Sequence, residues 1–182
     1  MKLLSTYFSM VIMQIITPAN AEFITITKNN HKYDVSAQFE TFADICSTWD
    51  QITDYEDLPS FLPNLVTSET LRKSGNKKVV RQVYLVKIFL FLFKLENKFL
   101  ITEHFSKKKI NIQQISGDLM DYSATWKLFK KKEKTVINLS ASITPTQFQM
   151  LLLSKNKIDE RFKTMTNALI KRLDSIDKID DC

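Results

Sequence analysis

Glycine is almost missing from this sequence. There are two glycines in 182 residues, with four prolines, two cysteines and two histidines, against thirteen phenylalanines. Each scarcity removes something. No G-x-S-x-G elbow, H-E-x-x-H pair or Cys–His arrangement is present, so the chemistry those constellations carry is excluded. Cys46, Cys182, His31 and His104 match no metal-ligand spacing, and neither a metal nor another cofactor is expected. Repeats, low-complexity tracts and domain linkers are lacking too, which leaves one domain.

The chain opens on an apolar run, residues 3–16 (LLSTYFSMVIMQII), behind Lys2 and ahead of Ala19-Asn20-Ala21. The run is too short for a permanent membrane anchor. Small residues stand at the two positions a signal peptidase reads, so residues 1–21 are expected to be a secretory signal cleaved after Ala21. The mature domain is then 22–182, periplasmic or secreted. Loss of Lys2, the one charged residue of the signal, takes the formal charge from +6 to +5. A basic balance suits nucleic acid, an anionic membrane surface or plain solubility; export sets nucleic acid aside. Two alternatives stand for the cysteines. An oxidising compartment permits a Cys46–Cys182 bridge if the tail returns to within about 7 Å between Cα atoms; otherwise a free, buried Cys46 accompanies a frayed terminus.

Hydrophobic periodicity divides the rest. ITIT (24–27) and KYDVSAQF (32–39) alternate as strands, with Tyr33, Val35, Ala37 and Phe39 on one face. The period then changes. Phe42, Ile45, Trp49 and Ile52 recur at three and four, predicting an amphipathic helix over 41–53 with Thr41 as N-cap. TDYEDLP stops it, Pro59 starts a short second helix and Pro63 ends that. Strands are predicted at 66–73, 78–86, 93–105, 109–115, 121–129 and 134–143, with short links that make antiparallel neighbours of them. Ile158, Phe162, Met165, Leu169, Leu173 and Ile176 form the apolar stripe of a long C-terminal helix.

This order is that of the helix-grip fold, an α+β architecture in which a curved antiparallel sheet of about seven strands, with two short helices, closes on a long C-terminal helix. The sequence also resembles the START-like polyketide cyclase/dehydrase and lipid-transport family, which includes coenzyme Q-binding relatives. Trp49 carries the resemblance, with Thr53-Asp54-Tyr55, Leu58-Pro59, Phe61, Pro63-Asn64-Leu65, Gln82, Glu103, Gly117-Asp118, Trp126, Thr135 and Pro145, over residues 33–173. It departs from the pattern where relatives commonly have glycine, at Ser123-Ala124-Thr125 before Trp126 and at Lys132-Glu133-Lys134 before Thr135. The resemblance implies a fold and an apolar class of ligand, without naming the ligand.

A bent sheet that does not fill its own interior leaves an apolar pocket with a few orienting polar groups. Trp49, Tyr55, Leu58, Phe61 and Leu65 are expected to clasp one open end. Phe99, Ile101, Glu103, Tyr122, Trp126 and Leu139 are expected to supply the walls, and Phe162, Met165 and Leu169 the helical side. Glu103, a carboxylate sharing a face with Phe99 and Ile101, is the expected polar anchor, with Arg81, Gln82 or Tyr122 nearby. Alternate turns of a meander gather at one end: SGNKK (74–78), SKKK (106–109) and KKKEK (130–134) make one end cationic. KIFLFL (87–92), SGDLM (116–120) and TPTQFQMLLL (144–153) make the other greasy, with Phe89, Phe91, Phe148, Met150, Leu151 and Leu152 as a loading lip. Plain core packing and solvated turns remain the alternatives to these roles.

The expected function is an exported carrier of a hydrophobic small molecule, a lipid, isoprenoid quinone or polyketide-like compound. The chain is expected to act as a monomer with transient membrane-surface contact and no catalytic residue. The alternatives are a cyclase/dehydrase-type enzyme using Glu103, His104, Asp118 or Tyr122, and a periplasmic protein-interaction module.

Overall fold

The computed structural model describes residues 21–88, 90–152 and 154–176; residues 1–20, which hold most of the expected signal, Phe89 and Cys182 lie outside them. The chain runs β1 (Ala21–Asn29), β2 (Lys32–Thr41), α1 (Ile45–Thr53), α2 (Leu58–Phe61), β3 (Leu65–Ser74), β4 (Lys77–Ile88), β5 (Phe91–His104), β6 (Lys109–Gly117), β7 (Asp121–Lys131), β8 (Lys134–Thr144), α3 (Gln147–Leu152) and α4 (Lys155–Leu173). The eight strands form one antiparallel sheet in the order β1-β2-β8-β7-β6-β5-β4-β3. The count is eight where the helix-grip order gave about seven: ITIT, expected as a strand from its alternation, pairs with β2 at the edge of the sheet.

Alternation sets the faces. Tyr33, Val35, Ala37 and Phe39 of β2, Ile137, Leu139 and Ala141 of β8, and Phe99 and Ile101 of β5 are all buried on one side. α4 crosses that side, packing against β1 and β2 and touching α1 and α2. Its buried residues Ile158, Leu169, Ile170 and Leu173 are largely the predicted stripe. Ser154 caps its start, accepting from the Lys157 amide at 3.3 Å. Lys171 and Arg172 sit where the helix dipole favours cations. Just beyond it, Asp174 accepts from the Thr41 hydroxyl at 2.6 Å and from the Phe42 amide at 3.0 Å, tying the helix end to the end of β2.

The first helix starts four residues later than predicted. Asp44 is its cap, accepting from the amides of Cys46 and Ser47 at 2.8 Å each, while Thr41 ends β2. Phe42 therefore falls in the bend before the helix and is 56% exposed instead of joining the Trp49 and Ile52 stripe. Cys46 is buried and disulfide-bonded.

Two turns show what scarce glycine means. At Gly117, φ is +144°, and a Cβ there would lie 2.3 Å from Asn97 Oδ1 and 2.6 Å from the Glu96 carbonyl, so only glycine fits. The neighbouring Asp118 carboxylate accepts from the Glu96 amide at 2.7 Å. At Lys108 (φ 44°) and Lys132 (φ 56°) the chain adopts the left-handed conformation without glycine, at a cost of roughly 1 kcal/mol each.

Candidate ligand recess

The predicted clasp and walls come together on the inner face in two packed clusters. The first lies beneath α1, α2 and the C-terminal half of α4. It buries Trp49, Tyr55, Leu58, Leu65, Phe99, Ile101 and Leu169, with Phe61 partly buried at its edge. The second, beneath the N-terminal half of α4, buries Leu139 and is flanked by the partly buried Phe162 and Met165. Tyr122 and Trp126 of β7 pack against both, as does Ile112 of β6. Aromatic edges connect these walls: Phe99 and Tyr122 have centroids 5.4 Å apart, and Phe39 and Trp126 6.4 Å.

Tyr84, Ile112, Tyr122, Trp126, Phe162 and Met165 are only half-buried, although they point inward from the central strands or from α4. Their accessible surface, between the two clusters, is the candidate recess. Burial nevertheless pushes the Tyr122 phenol up to about 12, and burial together with neighbouring Tyr122 raises Tyr84 further. Both groups are phenols, not phenolates, at neutral pH. Tyr84 donates to Gln82 Oε1 at 2.8 Å, and Gln82 donates in turn to Ser68 at 3.3 Å. The Tyr122 hydroxyl has no hydrogen-bond partner among the described residues. A phenol in poorly solvated surroundings, with an unused donor and acceptor, is suited to a polar group on an otherwise apolar guest.

Glu103 faces inward, as its alternation with Phe99 and Ile101 suggests, and finds its partners within the protein. Tyr55 donates to its Oε1 at 2.8 Å, Lys78 makes an ion pair with the same oxygen at 2.8 Å, and the Lys78 ammonium lies 4.8 Å from the Tyr55 ring centroid. Lys78 also donates to the Thr53 carbonyl at 3.4 Å. Burial first, then the Glu103 charge, raise the Tyr55 phenol. The cluster fastens the segment after α1 to β4 and β5, and its charges are matched internally. Arg81, expected near the anchor, lies on the outer face. It holds Glu96 with two bonds of 2.8 Å and Glu69 with one of 2.9 Å.

A groove of about 630 Å³ crosses the outer face. It is lined by Thr25, Ser36, Asn111, Ser123, Thr125 and Ser140, which alternate with the inward residues of the same strands. The sheet separates this hydroxyl-lined trough from the aromatic recess, so the two are distinct features. Of the expected lip, Phe89 lies outside the described residues, as do the side chains of Phe91, Phe148, Leu151 and Leu152. Met150 Sδ lies 3.1 Å from His31 Nδ1. Leu90, Leu92 and Met120, within the segments expected to make that end greasy though not among the lip residues, stand 91%, 68% and 67% exposed there.

Sequence reasoning also missed Tyr84 and Lys78. Their signal was available: Lys78, Val80, Gln82 and Tyr84 occupy alternate positions on one strand, and Val80 and Gln82 are both buried.

A curved sheet closed by a long helix recurs among known proteins. The family model for polyketide cyclase/dehydrase and lipid transport matches residues 43–170, well over half of the chain. The chain belongs to that family. A protein of Thermus thermophilus superposes with a TM-score of 0.65 at 20% identity, covering 78% of this chain and 94% of its own. The STAR-related lipid transfer protein of Xanthomonas axonopodis gives 0.65 at 8% identity, covering 82% and 98%. The Zhui aromatase/cyclase of Streptomyces sp. R1128 gives 0.60 at 15% identity, covering 79% and 94%. At these identities the structures establish the helix-grip, START-like fold alone. No curated protein sequence matches the chain significantly.

Proposed function

We propose that this family member is a carrier of a hydrophobic small molecule, a lipid, isoprenoid quinone or polyketide-like compound. The guest sits in the recess between β4–β7 and α4, and its polar group bonds to Tyr122. The observation that carries the reading is the half-buried Tyr122 side chain, whose ring lies beside that of Phe99 and whose hydroxyl has no hydrogen-bond partner among the described residues. Catalysis by a cyclase/dehydrase route is the weaker reading. Of the candidate acid–base groups, Glu103 is already matched by Tyr55 and Lys78, Asp118 holds a turn, and the recess tyrosines keep their protons at neutral pH.

Leu90, Leu92 and Met120 suit a mouth through which an apolar guest passes. Export, read from residues 1–21, is part of the proposal: the processed chain begins at Glu22, which N-terminal sequencing checks. Native mass spectrometry of the protein purified from its host, followed by organic extraction, tests the carrier. A bound apolar mass that is lost in Tyr122→Phe supports it. An empty protein that copurifies with another chain, or one that turns over a polyketide-like substrate, overturns it.

A further inference from the structure

The end of the sheet remote from the Leu90–Met120 mouth carries features that neither the fold nor the recess requires. Strand register brings together there the β3–β4 tip, the β5–β6 turn and the β7–β8 tip, beside the bend that follows β2. Lys107, Lys130 and Lys132 have no carboxylate partner among the described residues. Phe42, Phe105 and Phe129 stand 56%, 50% and 41% exposed among them. Lysine ammoniums lie over two of these rings, Lys134 at 4.9 Å from the Phe42 centroid and Lys108 at 3.4 Å from that of Phe105. Lys132, moreover, holds φ at 56°, the conformation that Gly75 takes at the neighbouring β3–β4 tip with φ at 57°. Glycine would relax that turn, so lysine there puts charge at the tip against the backbone's preference.

Exposed lysines alone describe a soluble surface. Exposed phenylalanines work against solubility, and the two together fit an interface where ammonium groups meet phosphates and rings enter the layer just beneath them. A dissolved polyanion would use the charges and leave the rings in water. We propose that this lysine and phenylalanine end docks the protein on an anionic lipid bilayer. The inference does not depend on what the recess holds.

Co-sedimentation of the processed protein with vesicles of phosphatidylglycerol and phosphatidylcholine, against phosphatidylcholine alone, tests it. Binding is expected on the anionic vesicles and is weakened by salt. Each of Lys107→Ser and Lys130→Ser is expected to lower affinity about five-fold. Lys132→Gly is the decisive variant, because it relaxes the turn: it weakens vesicle binding by about the same factor while the thermal midpoint holds or rises. Phe42→Ser and Phe129→Ser weaken binding to vesicles and leave heparin binding unchanged, whereas Leu90→Ser and Met120→Ser at the far end change neither. Equal sedimentation with neutral and anionic vesicles overturns the proposal. So does loss of binding in the Leu90 and Met120 variants only, or anion binding that ignores the phenylalanines, which would make this a site for a soluble polyanion.

Discussion

Two sets of polar groups face the interior of this sheet, and they are finished to different degrees. In the Tyr55–Glu103–Lys78 cluster, donors and acceptor satisfy one another at 2.8 Å, beneath the segment that follows α1. Farther along β4, the Gln82–Tyr84 pair stands near Tyr122 of β7, whose hydroxyl is left open among the described residues. The difference separates structure from function. A satisfied buried cluster holds the chain in one arrangement, whereas a half-buried phenol with no described partner is open to a guest, as the carrier proposal requires. An inward-facing carboxylate therefore does not identify the ligand anchor on its own; the state of its partners decides.

The largest way to break this comparison is Glu103→Gln. It leaves the mostly buried Lys78 ammonium without its counter-charge, and a loss of roughly 2–3 kcal/mol in urea unfolding is expected, with the retained guest unchanged. Loss of guest together with normal stability would move the anchor back to Glu103. Tyr122→Phe should do the reverse. Affinity for an apolar fluorescent ligand falls about ten-fold, equivalent to about 1.4 kcal/mol, while stability stays within about 0.5 kcal/mol, since no bond to a described residue is removed. Tyr55→Phe sharpens the first point at smaller scale: it costs about 1 kcal/mol in thermal or urea unfolding and leaves ligand affinity alone.

The smallest effect belongs to the exposed ion pairs, the outer counterpart of the Glu103 cluster. Arg81 holds the Glu96 carboxyl below its ordinary value of 4.5, and Lys134 and Lys131 do the same for Glu40. Both folded-state values are depressed, so the stabilisation is present above pH 4.5 and disappears as pH falls through the lowered values. A shallow, salt-sensitive drop in thermal midpoint below pH 4.5 is expected; Arg81→Gln removes the Glu96 share of it, as a melting series across pH will show.

Much of the fold was legible because it rests on local pattern. Alternation at Tyr33, Val35, Ala37 and Phe39, and the stripe from Ile158 to Leu173, named the faces that are buried. Pattern failed where a cap outweighed periodicity. Phe42 is on the helical spacing, yet Asp44 takes the amides that start α1, so Phe42 is left outside. The site was legible as a set of residues and not as chemistry: the spacing put Glu103 and Tyr122 on the inner face, but which of them finds partners depends on Lys78 and Tyr55, from distant parts of the chain.

From sequence alone came the architecture, the family resemblance and the contrast between a lysine-rich and an apolar end, because burial periodicity and turn placement are properties of short segments. Tertiary structure alone decided that the Glu103 charge is matched internally, that Arg81 faces outward, that Tyr122 finds no partner among the described residues and that three phenylalanines stand among the lysines. Each of these is a relation between side chains brought together by strand pairing and helix docking, and hydrogen bonding and desolvation act only across the distances that such packing sets.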